Sequence, residues 1–165
     1  MDRELLYYPE EALKKKSRPV ESTSEWKGLI KEMEKIMISE EGVGLAAPQV
    51  GVNIRLFLMR MDEAGEIYEA YFNPEIIETA GEVTVSESCL SFPGVSIELT
   101  RARRLKFRAR TPSGEVIEKT VNDLLAQCVQ HETEHLNGIT LFDNASLMEK
   151  MEIDRKLKDF RRKNE

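Results

Sequence analysis

His131 and His135 stand four positions apart, and Glu132 follows the first of them directly, in the run His131-Glu132-Thr133-Glu134-His135. On a helix, side chains four positions apart stack on one face, so two imidazoles can converge on one metal ion. Glu132 then lies one step round the helix, placed to take a proton from water activated by that metal. The bland alternative is a pair of solvent-facing histidines on a charged helix. These are the chain's 2 histidines, so their spacing carries weight.

A tetrahedral catalytic site takes three protein ligands. The extended zinc-protease pattern would place a third histidine at position 141, where this chain has Leu141. Glu149 or Glu152 could serve instead, as in peptidases whose third ligand is a later glutamate. Cys128 lies upstream on the same helix, about 7.5 Å along the axis from the midpoint of the two histidines. A metal–thiolate bond near 2.3 Å does not span that gap, so Cys128 reads as a small apolar side chain. Cys89 lies outside the helix and escapes the restriction. A metal-binding or buried thiol fits two cysteines in a reducing compartment better than a disulfide does.

Several elements must position these groups. Ser24 can cap a helix over about 25–40, with Trp26, Leu29, Ile30, Met33, Ile36 and Met37 on its buried face. The Gly- and Pro-rich stretch 42–51 follows and is expected to be irregular. Strands are predicted over 54–60, 67–72, 75–79, 104–110 and 116–120, with turns at 63–66 and 112–114. Asn122 or Asp123 can cap the histidine helix, which Gly138 stops near Asn137. A last helix is predicted over 146–163. Strands gathered between helices, without alternating with them, give an α+β class. Antiparallel or mixed sheets would pack around the histidine helix, flanked by N- and C-terminal helices.

At 165 residues, the chain suits one domain spanning 1–165. The net charge of −6 argues against DNA or another nucleic acid as the partner of the whole chain. No apolar run approaches the ~20 residues that cross a bilayer. The N-terminus lacks a secretory apolar stretch, so a cytoplasmic location is expected. Residues 149–165 run against the overall charge, with seven basic and five acidic side chains.

Three segments together resemble the motifs of peptide deformylases. Gly42-Val43-Gly44-Leu45-Ala46-Ala47-Pro48-Gln49 is similar to the family's GxGxAAxQ. Glu87-Ser88-Cys89-Leu90-Ser91 is similar to EGCLS, and Gln130-His131-Glu132-Thr133-Glu134-His135-Leu136-Asn137-Gly138 to QHExDHLxG. Order and spacing agree as well. The resemblance implies hydrolysis of the N-formyl group from the first methionine of nascent polypeptides, with release of formate. It implies that Cys89, His131 and His135 hold one divalent metal, with water as the fourth ligand. Fe(II) is the usual metal of the family; Zn, Ni or Co can stand in, and the donor set does not choose among them.

The resemblance further implies Glu132 as the base. The side-chain amide of Gln49 and the backbone N–H of Leu90 would donate to the developing oxyanion. Gly42 and Gly44 would let the backbone come close to substrate. Val43, Val85, Leu90, Leu124 and Cys128 are expected to wall the methionine pocket. Gln127 would stand at its rim, where relatives carry an apolar residue, and alter side-chain preference. Glu87, Arg101 and Glu134 are expected to tie the cysteine loop to the histidine helix. Ser88 and Glu134 depart from the usual glycine and aspartate. Ser88 would be strained if its φ were positive. In some bacterial members the C-terminal helix docks on the ribosome. The basic residues here are compatible with that, and equally with a solvated amphipathic helix.

Overall fold

A computed structural model describes residues 2–165. Its framework is one five-stranded antiparallel sheet with neighbours in sequence order: β1 Gly44–Ala46, β2 Leu56–Arg60, β3 Tyr68–Glu87, β4 Ile97–Arg110 and β5 Val116–Asn122. The fold is α+β, with a single sheet in place of several. In β2, successive side chains leave opposite faces of the sheet. Leu56 and Leu58 meet Leu29, Met33 and Met37 of α1 (Lys27–Glu40). Phe57 and Met59 share the other core with Cys128, Val129 and Leu136 of α2 (Asp123–Leu136). The sheet is thus covered by α1 on one face and by α2, the histidine helix, on the other.

The two strands expected over 67–72 and 75–79 are one. β3 absorbs irregular register after Phe72 and again after Ile76, passes through Gly81 at φ +70°, and continues to Glu87. There it pairs with Ile97 at the start of β4, so the two strands form a long arm. That arm delivers Glu87 and the loop bearing Cys89 to the side of α2.

No side-chain hydrogen bond caps α2 at Asn122, and Asp123 enters the helix at φ +51°, so neither residue plays the expected capping role. The far end is specified tightly. Gly138 has φ +76°, and a Cβ there would lie 2.6 Å from the Lys14 carbonyl oxygen, so only glycine lets the helix end against the N-terminal segment. A short α3 (Leu141–Asn144) follows, then α4 (Leu147–Lys163). Ser146 Oγ accepts the Glu149 N–H at 3.1 Å, and Glu149 Oε1 accepts the Ser146 N–H at 2.9 Å. This reciprocal cap starts α4. Ile153 and Leu157 of α4 pack with Phe92, Val95, Ile97 and Leu141, and Tyr8 stacks on Phe92 at 4.9 Å. The C-terminal helix therefore braces the loop that carries Cys89. Among the described residues, no helix is long and apolar enough to cross a membrane.

Candidate active site

Cys89 Sγ lies 3.2 Å from His135 Nε2, which lies 3.1 Å from His131 Nε2. All three donor atoms fall within 4.8 Å of one another. Thiolate and imidazole ligands 2.0–2.3 Å from a tetrahedral ion stand roughly 3.5 Å apart, close to these separations. Lone pairs brought this near repel unless a proton or a cation lies between them, and the donor set fits a divalent metal. Glu87 Oε2 accepts from His131 Nδ1 at 2.9 Å. That bond places the proton on Nδ1 and leaves Nε2 free to coordinate.

Glu87 is itself held from two sides. Arg101 donates through Nε to Glu87 Oε1 at 3.1 Å and through Nη2 to Oε2 at 2.6 Å. The same Nη2 lies 2.6 Å from Glu134 Oε1. Arg101 is 7% exposed, so this is not a solvated surface pair. Burial pushes the Glu87 carboxyl up, but the hydrogen bonds from His131 and Arg101 outweigh it and hold it down at about 2. Asn144 of α3 donates to both Glu134 oxygens at 3.2 Å. The longer Glu134 side chain thus reaches Arg101 and a neighbour on the next helix at once.

Glu132 is 3% exposed. Its Oε1 lies 3.8 Å from His131 Nε2, and its buried Oε2 has no partner among the described residues. Burial pushes this carboxyl up to about 7, against the neighbouring His131 and with the help of Glu87. A carboxylate with one oxygen uncommitted beside the metal donors is placed to exchange protons near neutral pH. Gln49 is equally fixed. Its Oε1 accepts the Ala46 N–H at 2.9 Å, while Nε2 donates to Ser91 Oγ at 3.0 Å and faces Cys89 Sγ at 3.6 Å. The amide therefore points its N–H groups at the metal side of the cavity. The Leu90 N–H is not taken up by any hydrogen bond among the described residues.

A cavity of about 720 Å³ opens beside these groups. Val43, Gly44, Leu90, Leu124, Gln127 and Cys128 line it, together with Gln49, Glu87, Cys89, His131 and Glu132. Val85 does not. It sits two residues before Glu87, opposite Leu99, and two strand residues span about 6.6 Å. The stretch of β3 and its following loop that lines the cavity begins at Ser86, followed by Glu87 and Ser88. Ser88 is not among the residues with positive φ, so its replacement of glycine costs no left-handed strain. Gly44 serves close packing. A Cβ there would lie 2.6 Å from Cys128 Sγ and 3.0 Å from Glu132 Oε1. Glu149 and Glu152 are remote candidates no longer: Glu149 caps α4 and accepts the Glu98 N–H, while Glu152 pairs with Arg155. Neither belongs to the donor cluster.

Some residues of the site escaped the sequence reading. Ser91 orients Gln49, and Asn144 supports Glu134. Gln130 clamps Ala102, accepting its N–H at 2.9 Å and donating to its carbonyl at 3.0 Å, which fixes α2 to β4 one residue beyond Arg101. Ser91 and Gln130 lie inside the recognised motifs, and that adjacency was their one signal. Asn144 had none.

A thiol from the loop after β3 and two imidazoles from α2 converge beside a buried carboxylate, an arrangement that fits the class of metal-dependent hydrolases. Comparison with known proteins narrows the class. The family model described as polypeptide deformylase matches residues 2–151. A peptide deformylase of Hydrogenovibrio crunogenus is 41% identical over 160 residues, covering 96% of this chain and 95% of its own. One from Chromobacterium violaceum is 38% identical, covering 97% and 96%. The crystal structure of a peptide deformylase from Legionella pneumophila superposes with a TM-score of 0.93 at 38% identity, covering 99% of this chain and 98% of that one. A Synechococcus elongatus deformylase in complex with actinonin gives 0.86 at 31% identity, covering 95% and 86%. The chain belongs to the polypeptide deformylase family. It is an enzyme that removes the N-formyl group from nascent peptides, and the family is metal-dependent.

Proposed function

We propose that Cys89, His131 and His135 hold the divalent metal, Fe(II) in keeping with the family's habit, with Zn, Ni or Co able to take its place. When bound, such a metal supplies Lewis-acid chemistry and lowers the pKa of water. Glu132 takes the proton of the attacking water at its uncommitted Oε2 and passes it to the departing amine. The Gln49 Nε2 group and the Leu90 N–H donate to the formyl oxygen as it gains negative charge, a role whose loss typically costs about 10²–10³ in rate. One water is consumed, the C–N bond of the formamide breaks, and formate and a free N-terminal amine result. Val43, Gly44, Leu124, Gln127 and Cys128 receive the methionine side chain. Glu87, Arg101 and Glu134 keep His131 and the cysteine loop in register.

The observation that carries this assignment is the buried, unpartnered Glu132 Oε2 beside three converging metal donors. Replacement of Cys89 by alanine tests the ligand set: metal content should collapse. Metal retained at one per chain would remove Cys89 from it.

One domain over 1–165 and a cytoplasmic location accord with this role. α4 is also proposed to approach the ribosome through Arg155, Lys156, Lys158, Arg161, Arg162 and Lys163. Co-sedimentation with ribosomes that survives deletion of residues 149–165 would remove that contact.

A further inference from the structure

Val43, Leu90, Leu124 and Cys128 form an apolar part of the cavity wall, and the amide of Gln127 stands beside them. Its Nε2 donates to Glu87 Oε1 at 3.2 Å. A carboxylate only accepts, so this contact fixes which end of the amide faces Glu87. Glu87 is immobilised by Arg101 and His131, and Gln127 is anchored through it. An amide carries two N–H groups and a carbonyl oxygen. One N–H is used here. The other, and Oε1, have no partner among the described residues, while the residue is half-buried at the cavity.

An anchored amide with a spare donor changes what the wall can hold. Burying a polar group in an apolar pocket is costly unless it finds a hydrogen bond. We propose that Gln127 is a specificity-determining residue that lets the enzyme accept formylated N-termini whose first side chain is methionine sulfoxide as well as methionine. The sulfoxide keeps the length of methionine and adds a strong acceptor oxygen, which the spare N–H of Gln127 meets. The inference rests on the assignment of this cavity to the first side chain.

The test compares formyl-Met-Ala-Ser with its sulfoxide counterpart as substrates of the metal-loaded wild type and of Gln127→Ile, with Gln127→Met as a second variant should the first not fold. Any loss transmitted through Glu87 acts on both substrates and cancels in the ratio of their kcat/KM values. That ratio is expected to shift about tenfold against the sulfoxide in the variant, the scale of one hydrogen bond, and mainly through KM. Calorimetric binding of the two deformylated peptides to the loaded proteins should show the same preference without turnover. Formate release from both substrates with an unchanged ratio would overturn the role of Gln127 alone. Release by the wild type from the methionine substrate alone would overturn acceptance of the sulfoxide, and release from neither would overturn the proposed site and this inference with it.

Discussion

Glu87 Oε2 accepts from His131 Nδ1 at 2.9 Å while Arg101 grips both oxygens of the same carboxylate. The residue two positions before Cys89 in sequence therefore orients an imidazole 44 positions downstream that is proposed as a metal ligand. Partners of this kind set the tautomer and aim of a ligand, and their loss typically costs about 10–100-fold in metal affinity. Glu87→Gln is expected to lower metal affinity by that factor, read by competition with a chelator. Unchanged affinity would mean that packing alone aims His131.

Gly44 and Gly42 stand two positions apart but differ in what surrounds them. A Cβ at Gly44 would press on Cys128 Sγ at 2.6 Å and on Glu132, both held in α2. At Gly42 it would meet the end of the Leu90 side chain at 2.8 Å, which can turn away. Gly44→Ala is expected to cost about 1–3 kcal/mol, the range for overpacking, and to displace the Glu132 carboxylate, the proposed base. Gly42→Ala should cost less. Denaturant unfolding of both variants checks the order, and equal costs would contradict it.

Glu69 offers a titration remote from the metal donors. Burial pushes its carboxyl up, but Lys119 at 2.6 Å and the Tyr71 hydroxyl outweigh that and bring it below its ordinary 4.5. A carboxylate lowered in the folded state binds fewer protons there than when unfolded. Its contribution is complete above about pH 4.5 and fades as pH falls through the folded value. Both partners are more than a third exposed, so the amount stays under about 1 kcal/mol. The stability difference between wild type and Lys119→Met should be larger at pH 7 than at pH 3. The same difference at both would show that the pair contributes nothing.

The elements with strong burial were legible before the fold was known. Leu56 to Met59 alternate between two cores, and Leu29, Met33 and Met37 repeat at helical spacing, so β2 and α1 announce themselves. The outer half of β3 does not. Residues 80–82, 84 and 86 are exposed, Gly81 interrupts the pattern, and pairing with β4 alone holds the strand. Val83 and Val85 alternate with exposed Glu82, Thr84 and Ser86 but are only half-buried, and so short an alternation beside a glycine is a weak strand signal. At the site, residues on the helix of His131 were placed by spacing, and Arg101 by its likeness to family members. The bond between Gln127 and Glu87 joins a helix to a strand 40 positions away. No local pattern encodes it; it exists because the β3–β4 arm ends beside α2.

Glu132 is proposed to move the proton in deformylation while Cys89, His131 and His135 hold the metal. The most direct measurement is formate release from formyl-Met-Ala-Ser by protein purified without oxygen and loaded with Fe(II), beside Glu132→Ala carrying the same metal content. Release by the wild type, with the variant slowed by at least about 10², is the predicted result. Equal release by both at equal metal content would contradict it.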